Sequence, residues 1–541
     1  MTVEGVYIDN ESQFMKDYRN QSASVMPKFH YNPYDEQVDK QRLLELDQRA
    51  YPRNELVEHL YVYNEKLGAD TKTLSQIKRL SDEKSVVIVG GQQTGLLSGP
   101  LYTIHKIISI LLLAKKKEQE LNRPVIPVFW MAGEDHDFEE INHIFLPEEK
   151  RMKKMRILQK EWTKKPTSQI TLDQEAFKQW MDRIFELLPE TENTRMLYVQ
   201  ITDIANQSET YVDFFGRFIH HLFQEEGLVL LDSNHPEIRK IEKDFFKLIV
   251  IQQKGIASGT EKMVMDLIKG GYPKPFDANT SDGHLFFHKN EERVLLVRDQ
   301  DGHWVGKNGD IAFTEPELLH LIQETPEQFS NNVVTRPVMQ DLLLPTLGFV
   351  GGPGEIAYWG ALKLAFEAAN IRMPPVYPRL SLTLIDREVQ KWGNQLHFSL
   401  KDAIENGLLT QKNHWLRHQA NPPIEKMGDE LKFVIEEAQR PIKEFAQNVG
   451  KDLGQLAEKN LIHMFREVDY LQDRIYMAME EKYEQTLSKY NRAHIELRPE
   501  NGLQERCWNI VYWMNLYGTD LSKRLLRDDY DWAANHHIFY L

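Results

Sequence analysis

Two short apolar runs rich in β-branched residues, SVVIVGG (Ser85 to Gly91) and PVIPVFWMAG (Pro124 to Gly133), flank TIHKIISILLLAKKKEQEL, a stretch with the length of a helix. Strand, helix, strand at this spacing predicts a parallel βαβ unit. Parallel neighbours need a long crossover, and strands covered on both faces read as unbroken apolar runs. The unit restricts the chain to an open α/β fold built on a parallel sheet. Further runs fit the same sheet: GLVLLDSNHP (Gly227 to Pro236), LPTLGFVGGPGE (Leu344 to Glu355) and PVYPRLSLTLID (Pro375 to Asp386).

These runs lie far apart, so a discontinuous core is expected, in residues 1–150, 216–260 and 331–395. Residues 151–215 read as a mainly helical insertion and 261–330 as a hairpin-rich one. In the latter, HLFFH, RVLLVRD and HWVGK are separated by turn-forming stretches that include Asp301-Gly302, and Asn308-Gly309 follows the last. After Asn421-Pro422-Pro423 the texture becomes long, charged helix, and residues 396–541 are expected to form a helical coiled-coil domain. There Ala457, Leu461, Met464, Val468, Leu471, Ile475 and Ala478 alternate steps of four and three, the a/d spacing of a coiled-coil seam. Such a helix pairs with a second copy or packs on its own domain; the flanking charges favour an exposed rod, and hence a homodimer.

Composition narrows the function. The chain has 541 residues, of which 41% are hydrophobic, enough for two or three domains with real cores. Its longest apolar run, Ile107 to Ala114 and broken by Ser109, falls far short of the roughly 20 residues a membrane-spanning helix needs. The opening MTVEGVYIDNESQ has no basic flank before an apolar core, so a soluble cytoplasmic protein without an export signal is expected. Cys507 is the single cysteine, which excludes an intramolecular disulfide and any Cys-rich zinc site. A formal net charge of −15 argues against binding the phosphate backbone of nucleic acid, although a few cations converging in one cleft can still take a small anion.

Four of the strands end in polar or glycine-rich segments: Gly90 to Gly95, then GEDHD, then Asp232-Ser233-Asn234-His235, then Gly351-Gly352-Pro353-Gly354-Glu355. Ligands of open parallel sheets bind outside the carboxyl ends of the strands, so the convergence of these segments marks a site. GGQQTG is neither a dinucleotide fingerprint nor a P-loop. GGPGE opening a helix suits a phosphate or carboxylate. GEDHDFEEINH crowds Glu134, Asp135, His136, Asp137, Glu139, Glu140 and His143 at one strand end. This segment fits metal ligation, general acid or base work by His136 or Asp137, or helix capping with a solvated acidic face.

GPLYTIH (Gly99 to His105) is similar in placement to the histidine-bearing stretch of class I aminoacyl-tRNA synthetase-like nucleotidylyltransferases. Pro100, Leu101 and His105 match, Tyr102 and Ile104 depart, and no K-M-S-K-S counterpart follows. More extensively, VGGQQTGLLSGPLYTIHKI, PVFWMAGEDHDFEEINH, GFVGGPGEIAYW and LQERCWN resemble the bacillithiol biosynthesis cysteine-adding enzymes of low-GC Gram-positive bacteria. That resemblance implies a Rossmann-like core with connecting-peptide insertions and a C-terminal coiled-coil domain. It also implies amide formation between the carboxyl of L-cysteine and the amino group of glucosaminyl malate, the last step of the pathway. ATP or a related nucleotide would activate the carboxyl, as an acyl phosphate or an adenylate, with no structural metal. The implied roles are catalysis for His105, His136 and Asp137, and substrate binding for Gln92, Gln93, Tyr102, Asp135 and Asp232. Gly351, Gly352, Gly354 and Glu355 would hold the nucleotide. Two alternatives compete: another adenylate-forming enzyme, and a catalytically inactive dimeric scaffold.

Overall fold

The computed structural model describes residues 2–160, 165–289, 292–307, 309 and 311–541, which divide into two compact units. The larger comprises Met1–Leu146, Lys153–Leu384 and Gln504–Leu541. Its centre is a five-stranded parallel sheet of β1 (Val86–Gln92), β2 (Val125–Met131), β3 (Val229–Asp232), β4 (Thr346–Gly351) and β5 (Val376–Pro378), in the order β5-β4-β1-β2-β3. β1 and β2 run in step over seven pairs, from Val86 opposite Val125 to Gln92 opposite Met131. β3 first pairs with β2 at Val128, so Pro127 falls where that side of the strand has no partner and its missing N–H breaks no ladder bond there.

The helix Leu101–Leu121 crosses from β1 to β2, with Leu101, Ile104, Ile107, Ile108 and Ile110 wholly buried. It ends at Asn122 in the left-handed conformation, a stop that asparagine tolerates. The chain therefore leaves β1 toward β2 and β3, and returns later to place β4 and β5 on the other flank. Strand order reverses between β1 and β4, and their carboxyl ends, Gln92 and Gly351, border the crevice where such sheets bind ligands.

The run Pro375 to Asp386 does not enter this sheet as a whole. Only Val376–Pro378 joins β4, and Leu382–Ile385 is a separate strand of a three-stranded sheet that also contains Thr2–Val6 and His536–Tyr540. The break comes at Arg379 and Leu380: the guanidinium is drawn to Glu505, and the Leu380 N–H donates to Ser109 Oγ at 2.8 Å instead of to a strand neighbour.

Asp282–Lys289, Glu292–Arg298 and Trp304–Gly306 form antiparallel pairs in a second five-stranded sheet, with Phe329–Asn331 on one edge and Ala312–Phe313 on the other. Gly302 turns one hairpin at φ +84°. Gly309 also has positive φ, whereas Asn308 lies outside the described residues. The helices Gln174–Leu187, Thr194–Asn206 and Tyr211–Leu222 precede β3.

The smaller unit, Pro147–Met152 with Ile385–Leu503, contains the helices Ile424–Val449 and Lys451–Lys482. These two pack antiparallel on one another. Gln439 Nε2 donates to the Ala457 carbonyl at 2.9 Å and Gln472 Nε2 to the Ile424 carbonyl at 2.8 Å. The predicted seam is thus partly used within the chain: Leu461 and Val468 are buried, while Met464, Leu471 and Ile475 stay exposed. Among the described residues no helix is long and apolar enough to cross a membrane.

Candidate active site

A cleft of about 430 Å³ opens at the reversal of strand order. Its floor is Lys106, on the second turn of the helix after β1 and only 1% exposed. The ammonium donates to the Gly91 carbonyl at 2.6 Å, to Gln92 Oε1 at 3.0 Å and to Glu355 Oε2 at 2.5 Å. Burial pushes its pKa down and Glu355 pulls against that. Glu355 Oε2 also accepts from the Gly352 N–H at 2.8 Å, which ties the loop after β4 to the helix after β1.

One wall is an arginine locked from behind. Both terminal nitrogens of Arg379 donate to Glu505, whose Oε2 also lies 3.1 Å from His105 Nδ1. Burial pushes the Glu505 carboxyl up, but Arg379 and His105 outweigh it and hold the group well below the ordinary range. The Arg379 guanidinium stands 6.0 Å from the ring centre of Tyr102. Arg336, which donates to the Tyr358 hydroxyl at 2.9 Å, and the exposed Arg506 complete the cationic lining. Lys106, Arg336, Arg379 and Arg506 face only Asp135 and Glu355 among the lining acids, so the cleft is locally positive in a chain of net charge −15. Such a concentration attracts carboxylates and phosphates.

On the opposite wall, Gln93 Nε2 donates to Asp135 Oδ2 and to Glu140 Oε2, each at 2.6 Å. Asp135 Oδ1 accepts from the N–H groups of His136 at 2.7 Å and Asp137 at 3.3 Å. The acidic segment thus serves in part as its own turn scaffold, and Glu139 pairs with Arg156 at 2.5 Å.

Of the residues singled out in the sequence, Gln92, Gln93, Tyr102, Asp135, Gly352, Gly354 and Glu355 come together in the lining. His105 is wholly buried beneath it, bound to Glu505. Gly351 is buried at the end of β4, His136 is half-buried beside Asp135, and Asp137 is exposed. Asp232 lies buried at the end of β3, outside the lining, with Oδ1 accepting from the Asn234 N–H at 3.0 Å. Burial, with Glu134 adding to it, pushes its pKa up to about 7.

The glycines divide as well. A Cβ on Gly90 would stand 2.8 Å from the Val350 carbonyl oxygen, and one on Gly91 would stand 2.8 Å from that of Trp130, so both are demanded by neighbouring strands. Gly354 has nothing within 4 Å of that position.

Lys106, Arg336, Arg379 and Arg506 were not foreseen. A lone lysine inside the apolar stretch TIHKIISILLLA was a readable signal for the first, and an arginine just after a strand for the third. Arg336 and Arg506 follow no strand and carried none. Among the described residues, Asp299, Asp301 and His303 are the one group close enough to share a metal ion. They are exposed, and Asp299 Oδ1 already accepts from the backbone of the other two, as a hairpin turn requires.

Comparison with known proteins agrees with this architecture. Residues 1–380 match the family model described as "Bacillithiol biosynthesis BshC, N-terminal Rossmann-like domain", and residues 382–541 match "Bacillithiol biosynthesis BshC, C-terminal coiled-coil domain". A protein of Oceanobacillus iheyensis named "Putative cysteine ligase BshC" is 38% identical over 538 residues, covering 99% of both chains. Proteins of the same name from Bacillus anthracis and Bacillus cereus are 39% identical over 525 residues, covering 97% of each chain. With a Rossmann-like core and a helical C-terminal unit matched along nearly the whole sequence, the chain belongs to the BshC family of bacillithiol biosynthesis.

Proposed function

We propose that this protein is a ligase that joins the carboxyl of L-cysteine to the amino group of glucosaminyl malate, forming the amide that completes bacillithiol. The observation that carries the reading is the convergence of Lys106, Arg336, Arg379 and Arg506 on one cleft at the carboxyl ends of the strands. The malate portion of the acceptor is anionic, and so is a nucleoside triphosphate. A nucleotide supplies the activation that a free carboxylate needs before an amine can attack it.

Arg379, held rigid by Glu505, and Arg506 at the rim orient the anionic groups; Lys106 closes the floor, and Gly354 lies in the first turn of the helix after β4. His105 is a positioning residue that acts through Glu505. The attacking amine must be unprotonated. Asp135, in the lining, accepts its hydrogen bond, and His136, whose Nδ1 is 3.8 Å from Asp135 Oδ1, takes the proton. Asp137 then shapes the turn that aims Asp135.

Purified protein incubated with cysteine, glucosaminyl malate and ATP should yield the amide thiol together with stoichiometric ADP or AMP, and omission of any one component should abolish it. Absence of product with every nucleoside triphosphate would refute this activity.

A homodimer through the helical unit is part of the same reading. Leu431, Val434, Ile442, Phe445 and Val449 leave an exposed apolar stripe along the helix Ile424–Val449, and Leu471 and Ile475 are exposed on its neighbour. Sedimentation should show a dimer at micromolar concentration, and I442E/F445E should give monomers. A monomeric wild type would exclude it.

A further inference from the structure

Behind the wall that carries Asp135 lies a second polar cluster, in the same compact unit, that the cleft chemistry does not use. Glu134, 4% exposed, projects from the residue before Asp135, with its Oε2 3.9 Å from Arg239 Nη2. Arg239 is wholly buried and donates through Nη1 to Glu242 Oε2 at 2.8 Å. From the antiparallel insertion comes Arg293, which donates through Nε to Ser330 Oγ at 3.0 Å and through Nη2 to the Asn331 carbonyl at 2.6 Å. Its guanidinium lies 4.0 Å from the ring centre of Phe286 and senses the charges of both Glu134 and Asp135.

The cluster is over-supplied with polar atoms. Among the described residues, Glu134 Oε2, Arg239 Nε, Glu242 Oε1 and both amide atoms of Asn331 are buried without a hydrogen-bond partner. Asn331 is 2% exposed. Buried polar groups are ordinarily paired, and several unpaired ones gathered together are the mark of a site built for a polar guest. The charges name the guest. The unpaired atoms are of both kinds, acceptors on Glu134 and Glu242 and a donor on Arg239, so a group bearing one charge of each sign satisfies both. Asn331 offers one donor face and one acceptor face to match.

We propose that Glu134, Arg239, Arg293 and Asn331 form the subsite for the amino-acid substrate, with the α-ammonium held on Glu134 and the carboxylate turned toward Arg293 and the cleft. This inference rests on the ligase reading. The ammonium nitrogen and the carboxyl carbon of an amino acid are two bonds apart, and Glu134 and Asp135 are consecutive, so an anchored amine delivers the carboxyl to the lining. The anchor has a chemical purpose as well. Cysteine carries an amine of its own that would compete for an activated carboxyl, and an ammonium paired with a buried carboxylate keeps its proton and cannot attack.

Calorimetric titration of the full chain with L-cysteine, 3-mercaptopropionate (no amine) and cysteamine (no carboxyl) tests the assignment, with nucleotide present and absent. L-Cysteine should bind the wild type, 3-mercaptopropionate should bind at least tenfold more weakly, and E134Q should lose at least tenfold in cysteine affinity. R293K, a milder change, should also weaken cysteine, and circular dichroism identifies any variant that has not folded. Cysteine binding by folded E134Q and R293K within twofold of wild type overturns the proposal; so does equal binding of 3-mercaptopropionate, or no cysteine binding by the wild type. Amide formation is scored separately. Glu134-dependent cysteine binding without amide product would sink the ligase reading and leave the subsite, whereas amide product with an unchanged KM for cysteine in E134Q would do the reverse.

Discussion

Glu505 meets both terminal nitrogens of Arg379, at 2.7 and 2.6 Å, from a position fully enclosed by the protein. Removing one partner of such a buried pair leaves the other charge without compensation, at a cost of about 3–5 kcal/mol. Glu505→Ala should lower the urea midpoint accordingly, and Glu505→Gln should lower it less. The carboxyl is depressed in the folded state, so its stabilisation is present above the ordinary carboxylate pKa of about 4.3 and is lost as pH falls below that value toward the folded pKa. The gap between wild type and Glu505→Gln should therefore be constant from pH 6 to 8 and close in acid. Equal midpoints at pH 7 would show that the pair contributes nothing.

Asp135 lines the cleft and Asp137 does not, which separates two neighbouring carboxylates in one experiment. If Asp135 holds the attacking amine for His136 to deprotonate, Asp135→Asn should misplace that amine and lower kcat by about 10²-fold or more, the scale at which general-base assistance is lost. Asp137→Asn should cost only a few fold. Steady-state kinetics with saturating substrates would reverse the assignment if the two losses came out in the opposite order.

Gly91 and Gly354 both border the cleft, but for different reasons. An alanine methyl at Gly91 would press on the carbonyl oxygen and Cβ of Trp130 at 2.8 and 3.1 Å, atoms of an adjoining strand that cannot yield. Gly91→Ala should destabilise by about 1–3 kcal/mol. At Gly354 the methyl meets nothing within 4 Å and lies in the first turn of a helix, so Gly354→Ala should leave stability within about 1 kcal/mol of wild type. Any loss in that variant should appear in KM.

Acid sensitivity follows from buried imidazoles. Burial pushes His59, His143, His220 and His284 down to about 4, and His288 and His536 to about 3. The unfolded chain binds protons near pH 6.5 that the folded chain refuses until far lower, so stability falls as pH drops below 6.5. Asp232 and Glu242, pushed up to about 7 by burial, act in the opposite sense because the folded state takes up their protons first. The histidines outnumber them. The melting temperature should therefore decline steadily from pH 7 to 5, and a flat or rising profile would contradict this balance.

The period and composition of the chain were sufficient for the parallel core. Unbroken β-branched runs on either side of a helix-length segment admit one local solution, and the parallel direction of the strands brings their carboxyl ends to one edge. Gln92, Gln93, Asp135 and the glycines near Glu355 were legible for that reason, since each lies at a strand end or in the segment that leaves it. Lys106, Arg336, Arg379 and Arg506 converge only after the sheet has assembled, because charge complementarity across hundreds of residues leaves no local pattern. Glu505 shows the same limit: nothing in LQERCWN marks it as the partner of Arg379, 126 residues away. The heptad at Leu461 and Val468 announced a helix with an apolar seam, but which helix would cover it was settled by the turn at Gly450, which folds Lys451–Lys482 back on its predecessor. Local periodicity encodes which face of an element is apolar; only the path of the chain decides what that face meets.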